Sequence, residues 1–371
     1  MKIGIPKEIM TGEARIALTP EACKSLFIAG HSIFLEKNAG NSSGYSDADY
    51  DEAGVEVVDT AAQLFEASQL IIKVKQPLAD DLILLRSHHL LFSYLHLAAD
   101  LSLVQDLCDI GVNAIPFESV LDELGALPLL TPMSQIAGRI ATLRGASLLF
   151  RNRGGKGILL GGVDGSESGR VVVLGAGVAG SHAVAVAVAL GARVDVLDLD
   201  ESKLQLIALK HPSIETHQST PEIVELLCID ADLVIGAVLL AGRRAPVVLK
   251  QSAIQQMKAG SVIVDIAIDQ GGCIEGIRAT SSEQLSYVEN GVIHSAVPNM
   301  PATVARTASQ SLSSAILPYV EILAAAGVDG LLASAGPQSL ALQRAMAIKA
   351  GEVVDNILLD EIATKKAHAV A

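Results

Sequence analysis

The chain of 371 residues is long enough for about two domains of ordinary size. Half of the residues are apolar and only 3% are aromatic, so the core must be built mainly from Val, Ile, Leu and Ala, as in α/β enzymes with buried parallel strands. The net charge of -14 argues against nucleic acid or an anionic membrane as a general partner, because long-range repulsion opposes the encounter.

We expect neither a membrane span nor a signal peptide. The apolar segment "SSAILPYVEILAAAGVDGLLASAG" is interrupted by Pro318, Glu321 and Asp329, and the start "MKIGIPKEIM" has too short an apolar stretch. The four cysteines form no C-x-x-C pair, so we interpret them as reduced thiols of a cytoplasmic protein and expect no metal site.

Short apolar runs alternate with helical stretches through the first hundred residues, in the order "KIGIP", "TPEACKSLFIAG", "HSIFLEK", "YSDADYDEAG", "VEVV", "TAAQLFEA", "QLIIKVK", "LADDLILLR" and "HLLFSYLH". This alternation predicts a parallel sheet wrapped by helices. Thr19 and Pro20 predict the N-cap and first turn of a helix, and Gly30 predicts its end. The first half is therefore expected to form an α/β domain.

The second half begins with a predicted helix over 134–150 and a Gly-rich segment over 153–170, which we interpret as a hinge or a cofactor-facing loop. A second βαβ series starts at Val171, with strands "RVVVLG", "RVDVLDL", "ADLVIGAV" and "SVIVDIAI". The segment "SHAVAVAVALG" also fits a strand, but its place after a Gly-rich turn favours a helix. Beyond about residue 300 the pattern is mostly helical with no new strand series, so the tail is expected to pack on the first domain.

The segment "VVVLGAGVAG" carries a predicted dinucleotide-binding turn. Gly175, Gly177 and Gly180 fit G-x-G-x-x-G, in which the glycines allow a tight turn, a close approach of the pyrophosphate and close helix packing. The turn follows a strand and opens a helix, whose first N–H groups then face the phosphates. This context makes the motif far more specific than the spacing alone.

Asp198 ends the next predicted strand, about twenty residues after the glycines. Its carboxylate would accept hydrogen bonds from the adenosine ribose hydroxyls and repel a 2'-phosphate, which favours NAD over NADP. Lys203 leaves binding of NADP as the alternative.

Later strands of this sheet end near the expected cofactor crevice, because ligands bind beyond the carboxyl ends of parallel strands. Asp265 lies inside a strand and is interpreted as a structural, hydrogen-bonded carboxylate. The residues placed near the crevice are Val238, Leu239, Ile266 and Asp269.

Polar residues of the first half are the candidates for substrate binding. Arg15 offers a planar guanidinium that can grip a carboxylate through two hydrogen bonds. Lys75 lies at a strand terminus. His96 ends an apolar strand, which is an unfavourable place for a polar side chain that has no function. Each of them, taken alone, is more readily explained as a surface charge or a satisfied buried imidazole.

Taken together, these residues give the chain a resemblance to the alanine dehydrogenases over nearly its whole length. The matching segments are "GIPKE", "EARIALTP", "KVKQP", "SYLHLA", "ALPLLTPMSQIAGR", "GGKGILLGGV", "VLGAGVAG", "DLVIGAVL", "DIAIDQGGC" and "VPNMPATV". The resemblance implies oxidative deamination of L-alanine to pyruvate and ammonium with reduction of NAD, and the reverse amination. It assigns substrate binding to Arg15 and Lys75 and catalysis to His96 and Asp269.

The resemblance also implies the fold and the cofactor contacts. The expected class is α/β, with a Rossmann NAD domain over 134–305 inserted into a substrate domain formed by 1–133 and 306–371, each with a mostly parallel sheet and helices on both faces. A homohexamer is implied. The implied dinucleotide contacts are Ser134, Val178, Asp198, Lys203, Ser219, Val238, Leu239, Arg278, Val297, Asn299 and Met300.

The reaction indicates what each group would do. A base must remove an ammonium proton before hydride can leave the α-carbon, and the iminium must then be hydrolysed. Arg15 would hold the carboxylate, and Lys75 would donate to the carboxylate or to the pyruvate carbonyl. His96 is the side-chain type that exchanges protons near neutrality. Asp269 would deprotonate the ammonium or the water, or orient His96.

Three alternatives remain at this stage. The NAD-binding part of a proton-translocating transhydrogenase has a similar plan, but its related segment lacks the His of "YLH". A saccharopine-forming relative agrees less well with "MSQIAGR" and "DIAIDQGGC". A catalytically silent NAD sensor would need the glycine turn and Asp198, but not His96 with Asp269.

Overall fold

The computed structural model describes residues 1–238, 244–281 and 283–370. It divides into two compact units. Unit 1 comprises Met1–Pro132 and Ala302–Ala371, and unit 2 comprises Met133–Pro301. The first unit is thus built from both ends of the chain, and the second is a single continuous insert.

The helices and strands follow in chain order. Up to residue 132 they are β1 (Lys2–Ile5), α1 (Pro20–Ile28), β2 (Ser32–Glu36), α2 (Asp47–Asp51), β3 (Glu56–Val58), α3 (Ala61–Ala67), β4 (Leu70–Ile72), α4 (Ala79–Leu82), β5 (Leu90–Ser93), α5 (Leu101–Ile110), β6 (Asn113–Pro116) and the start of α6 (Thr131–Leu148). The insert then holds β7 (Arg170–Leu174), α7 (Val178–Ala189), β8 (Arg193–Asp198), α8 (Glu201–Lys210), β9 (Glu215–Gln218), α9 (Pro221–Ile229), β10 (Leu233–Gly236), α10 (Gln251–Ile254), β11 (Val262–Asp265), β12 (Tyr287–Glu289) and β13 (Val292–Ser295). The carboxyl-terminal part has α11 (Ala305–Ala333), α12 (Pro337–Ala345), β14 (Ile348–Lys349), β15 (Glu352–Val353) and α13 (Asn356–Val370).

Unit 1 is organised around an eight-stranded sheet in the order β15-β14-β6-β5-β4-β1-β2-β3. The strands from β1 to β6 pair in parallel, and β14 pairs antiparallel with both β6 and β15. Short apolar strands such as "LII" in β4 are buried on both faces, as the crossover helices of a parallel sheet require. The predicted alternation of strands and helices is therefore confirmed for this unit.

Unit 2 has a seven-stranded sheet in the order β12-β13-β11-β10-β7-β8-β9. Counting β7 as the first strand, the six parallel strands follow the Rossmann order 3-2-1-4-5-6. Val171 and Val173 of β7 pack in one apolar cluster, while Val172 and Leu174 pack in another, so the sheet is covered on both faces. The order reverses between β7 and β10, which is the position where such sheets bind ligands.

The ambiguous segment after the glycines is a helix, α7, as its place in the sequence predicts. The Gly-rich segment over 153–170 was predicted as a hinge or a cofactor-facing loop, and the second alternative is wrong. A Cβ on Gly161 would lie 1.8 Å from the carbonyl oxygen of Leu190, the residue that ends α7. The segment therefore packs at the opposite end of α7 from the glycine turn.

The tail is mostly helical, as predicted, and β14 and β15 add to the sheet of unit 1 two strands of two residues each, too short to give a periodic pattern. Thr19 occupies the N-cap position of α1, yet its side chain makes no capping hydrogen bond. Its hydroxyl oxygen lies 3.3 Å from that of Ser313 instead.

The segment Met300–Ala333, which ends with α11, is the one stretch among the described residues that is long and apolar enough to cross a membrane by length and composition, contrary to expectation. Its polar contacts nevertheless belong to the core of unit 1. The hydroxyl of Ser309 accepts from the Ile16 N–H at 2.9 Å, and that of Ser313 accepts from the Thr19 N–H at 3.0 Å. Gly327, with φ of 61°, interrupts the helix. Buried bonds of this kind are those of a core helix.

His89 predicts a pH dependence of stability. It is fully buried at the start of β5, where Nδ1 accepts from the Arg86 N–H and Nε2 donates to the Phe65 carbonyl, so the ring is neutral. Burial lowers its pKa from 6.5 to about 4. As the pH falls below 6.5, His89 becomes protonated in the unfolded chain but stays neutral in the folded chain. The free energy of unfolding therefore decreases until about pH 4, by about 3 kcal/mol at most.

The free energy of unfolding in urea, measured at pH 7.5 and 4.5, checks this expectation. The wild type should lose more stability between these pH values than His89→Gln, which cannot titrate. Equal losses in the two proteins would show that His89 does not govern this part of the pH profile.

Candidate active site

Arg15 lies in the loop after β1 and is almost fully buried together with Glu13. Glu13 Oε1 accepts from Arg15 Nε at 2.7 Å and Oε2 accepts from Nη2 at 2.6 Å, while Oε1 also accepts the backbone N–H groups of residues 14 and 15. Burial alone would lower the pKa of Arg15, but the bonds and charge of Glu13 outweigh it and raise that pKa. The structure thus holds a permanent cation in one orientation, as capture of a carboxylate requires.

Lys75 follows β4 in a segment anchored by a buried group of charges. Lys73 Nζ lies 3.2 Å from Asp81 Oδ2 and 3.7 Å from Glu8 Oε2, and all three side chains are at most 5% exposed. Glu8 also accepts the Val74 N–H at 2.6 Å. Burial raises the pKa of Glu8 despite the opposing effect of Lys73. The backbone next to Lys75 is therefore fixed by interactions from β1 and α4.

His96 follows β5 and is half exposed, in a left-handed backbone conformation with φ of 50°. The carboxylate of Glu118 accepts the N–H groups of Leu95 and His96 and lies 3.8 Å from His96 Nδ1. The imidazole stacks on Tyr94, with ring centroids 6.2 Å apart and planes 9° from parallel. Tyr94 is itself buried and donates to the Leu129 carbonyl at 2.6 Å.

These candidates lie in segments that follow the carboxyl ends of β1, β4 and β5, which are at one edge of the parallel sheet. Tyr94 connects them. Its N–H donates to the Val74 carbonyl beside Lys75, and its ring stacks on His96. Burial raises the pKa of its hydroxyl, against which the nearby charge of Arg15 acts. The Arg15 charge and the His96 ring therefore both lie beside Tyr94, and Lys75 follows the neighbouring strand.

The glycine turn of unit 2 has the shape that a pyrophosphate requires. A Cβ on Gly180 would lie 1.8 Å from the Gly175 carbonyl oxygen, so the helix approaches the turn too closely for a side chain. Gly175 has φ of 107° and lies against the Ala237 carbonyl at the point where the strand order reverses. A Cβ on Gly177, by contrast, would meet nothing within 4 Å. The residues present fit a bound dinucleotide, because the pyrophosphate must come close to the backbone at the second glycine of the motif, where this space is open.

Asp198 ends β8 beside this turn. Its Oδ2 accepts the Ala176 N–H at 2.7 Å, and its Oδ1 accepts the Asp200 N–H at 2.9 Å. The Ser219 N–H donates to the Asp198 carbonyl at 2.9 Å, which brings the ends of β8 and β9 together. The Asp198 carboxylate thus lies next to the glycine turn, where the ribose of a dinucleotide is expected.

Asp269 lies in a short 3-10 helix, Ile266–Gln270, directly after β11. Its carboxylate accepts the Asn299 N–H at 3.1 Å, and Asn299 has φ of 55°. The buried Asp265 accepts the N–H groups of Ala267 and Cys273, both at 2.9 Å, and so fixes the segment that carries Asp269. The predicted structural role of Asp265 is therefore confirmed.

The other predicted dinucleotide contacts are spread over several elements of unit 2. Ser134 of α6 lies one helical turn before Gly138, which packs directly on the Ala179 carbonyl of α7. Lys203 Nζ is 4.0 Å from Asp200, and the Arg278 guanidinium lies over Tyr287. Leu239 falls outside the described residues. The remaining predicted contacts follow a strand end or open α7: Val178, Val238, Ile266, Val297 and Met300.

Among the described residues, one cluster outside these sites has the spacing of metal ligands: Asp195, Glu215 and His217. Asp195 already accepts from Arg170 Nε at 2.8 Å and from His217 Nε2 at 2.9 Å. Burial would raise the pKa of Asp195, but these two hydrogen bonds outweigh it and lower that pKa. The cluster is therefore an ion-pair network that carries no metal assignment.

Sequence reasoning missed the acidic partners of the basic groups. Glu13 and Glu118 hold Arg15 and His96, and Glu8 with Asp81 surrounds Lys73. Glu13 had a detectable signal, since it lies two residues before Arg15 at a loop after a strand. Glu118 is 22 positions from His96, and only the pairing of β5 with β6 brings the two together.

A Rossmann-ordered unit with a dinucleotide turn, and a second α/β unit with basic groups at one sheet edge, define a two-unit dinucleotide-dependent oxidoreductase. The family model for the N-terminal domain of alanine dehydrogenase/PNT matches residues 4–137, and that for the C-terminal domain matches residues 141–356. The chain therefore belongs to the alanine dehydrogenase/PNT family.

Individual relatives agree with this. The chain is 43% identical to an alanine dehydrogenase of Halomonas elongata over 90% of both chains, and 44% identical to one of Staphylococcus epidermidis over 92% of both. It superposes on a solved L-alanine dehydrogenase with a TM-score of 0.93 and 42% identity, covering 98% of this chain and 99% of that one. A transhydrogenase from Sinorhizobium meliloti gives a TM-score of 0.82 at 25% identity, covering 96% and 100%.

Proposed function

We propose that this chain catalyses the oxidative deamination of L-alanine to pyruvate and ammonium with NAD, together with the reverse reductive amination. The observation that supports the proposal is that Arg15, held by Glu13, and His96 both lie beside Tyr94 in unit 1. A dinucleotide-binding protein without substrate chemistry has no need of these groups. Membership in the family and the similarity to enzymes named alanine dehydrogenase support the same conclusion.

Substrate binding is assigned to Arg15 and Lys75. Glu13 holds the guanidinium through its Nε and Nη2 atoms, which fixes the orientation of the charge that a substrate carboxylate would meet. Lys75 would add a second positive charge to the carboxylate, or would donate to the carbonyl oxygen of pyruvate in the reverse direction. Two cations hold a small amino acid in one orientation, which lowers the entropic cost of reaching the reactive geometry.

Proton transfer is assigned to His96 and Asp269. When bound, NAD accepts the hydride from the α-carbon of alanine. One of these two side chains would first remove a proton from the ammonium group, and one would then activate the water that attacks the resulting iminium. His96 is half exposed and Asp269 is exposed, so both can exchange protons with solvent. The division of the two steps between them remains a proposal.

The preference for NAD is assigned to Asp198, which gives a testable prediction. Asp198→Asn keeps an oxygen that can accept the Ala176 N–H but removes the negative charge that repels a 2'-phosphate. The ratio of kcat/KM with NAD to kcat/KM with NADP is expected to fall at least about tenfold, equivalent to about 1.4 kcal/mol. Steady-state kinetics with both cofactors measures this ratio. An unchanged ratio would remove Asp198 from cofactor selection.

The transhydrogenase alternative is separated from this function by one assay. The purified protein with NAD should form NADH, measured by absorbance at alkaline pH, when L-alanine is added and at no measurable rate without it. NADH formation that does not depend on alanine, or none at all, would contradict the proposal.

We also propose that the chain acts as a homohexamer, as its resemblance to the family implies, and that it is a cytoplasmic protein with reduced cysteines. The mass in solution, measured by light scattering, tests the assembly.

A further inference from the structure

The backbone at His96 is in a conformation that an ordinary residue avoids. Its φ of 50° lies in the left-handed region, where a non-glycine residue carries a cost of about 1–3 kcal/mol unless the surroundings hold it. The conformation occurs three residues after the end of β5. Some interaction from outside this segment must therefore hold the turn.

The carboxylate of Glu118 provides that interaction. Its Oε1 accepts the Leu95 N–H at 3.1 Å and also the His96 N–H, and its Oε2 is 3.3 Å from the Leu95 nitrogen. Two consecutive N–H groups thus converge on a single carboxylate oxygen.

Glu118 is itself held rigidly. It lies in a 3-10 turn, Phe117–Ser119, directly after β6. The Phe117 ring is fully buried and packs edge-on against Phe92, with centroids 4.4 Å apart, and against Tyr94 at 5.0 Å. The aromatic cluster that fixes Glu118 therefore includes the same Tyr94 ring on which His96 stacks.

We propose that Glu118 is a positioning residue, which holds the His96 imidazole in its working orientation by accepting the N–H groups of residues 95 and 96. The inference rests on the proposed function, in which His96 transfers protons. Glu118 acts through the backbone of His96, so its oxygen matters more than its charge. A loss of this anchor would let the turn relax and would misplace the imidazole, which costs turnover even when the substrate still binds.

Three substitutions distinguish the hydrogen-bond acceptor of Glu118 from its negative charge. Glu118→Gln keeps the Oε1 acceptor and removes the charge, and its kcat should stay within about threefold of the wild type. Glu118→Asp keeps the charge but withdraws the oxygen by about 1.5 Å, and Glu118→Ala removes both. In these two variants kcat for alanine oxidation should fall at least tenfold, and on the order of 10²-fold for Ala. KM for alanine and Kd for NAD should change little.

Asp47→Ala is the matched control. Asp47 is another carboxylate of unit 1 that accepts the N–H of a left-handed residue, Asn38 with φ of 63°. Its removal should leave kcat unchanged, because Asn38 takes no part in the reaction.

The outcomes are distinct. Full activity in Glu118→Ala, or a Gln variant as impaired as Ala while Asp remains active, would overturn the inference. If Glu118→Ala fails to fold, the comparison of Gln with Asp still decides the question. Absence of alanine oxidation in the wild type would instead contradict the proposed function.

Discussion

Gly180→Ala is expected to lose both the stability of unit 2 and the ability to bind NAD. The added Cβ would lie 1.8 Å from the Gly175 carbonyl oxygen and 2.9 Å from its carbon, both backbone atoms that cannot move aside without opening the turn. Overpacking of this kind costs about 3 kcal/mol or more. Thermal unfolding followed by circular dichroism, with and without NAD, measures the loss.

Gly177→Ala is the matched control within the same turn. Its Cβ would meet no atom within 4 Å, so the folded protein should keep its stability. The same Cβ would fill the space that the pyrophosphate needs, and Kd for NAD should rise roughly tenfold, about 1.4 kcal/mol. A Gly180→Ala protein that folds and binds NAD normally, or a Gly177→Ala protein with unchanged NAD affinity, would contradict the assignment of this turn.

His96→Ala is expected to lower kcat for alanine oxidation on the order of 10³-fold, because the proton transfers would pass to water or to a poorly placed side chain. Kd for NAD should remain that of the wild type, since the glycine turn belongs to unit 2 and His96 to unit 1. Single-turnover kinetics and NAD titration by fluorescence measure the two quantities.

His88→Ala serves as the control for this prediction. His88 is a histidine of the same unit that contacts His89 and not the candidate site, so its removal should leave kcat unchanged. A His96→Ala protein that loses NAD affinity in the same proportion as turnover would contradict the division of tasks between the units. Full turnover in the variant would remove His96 from catalysis.

The parts of the fold that the sequence predicts are those with strong local signals. The apolar strands β1, β4, β7 and β11 are short and bounded by turn residues, and α7 is identified by the glycines before it. Several strands were not predicted, among them β9, β14 and β15. In β9, "ETHQ" is half exposed, and β14 and β15 are too short for any period to appear. Pairing of β9 with β8 and of β14 with β6, not local propensity, makes these residues strands.

The candidate site shows the same limit. Lys75 and His96 were candidates because they follow strands, and Arg15 because its guanidinium can bind a carboxylate, but only the family resemblance assigned roles to them. Glu118 and Asp81 resemble ordinary surface residues in the sequence, and only the folded sheet brings them to His96 and Lys73. The cofactor-facing interpretation of the Gly-rich segment over 153–170 was wrong for a related reason. Glycines needed for close packing, as at Gly161, look the same in sequence as glycines needed for a ligand.

Product analysis tests most directly whether the groups of unit 1 direct hydride removal from an amino acid. The purified protein incubated with L-alanine and NAD should produce pyruvate, ammonium and NADH in equal amounts. Arg15→Ala should need far more alanine to reach the same rate. Formation of NADH without equivalent pyruvate and ammonium, or an Arg15→Ala protein with unchanged KM for alanine, would contradict the account.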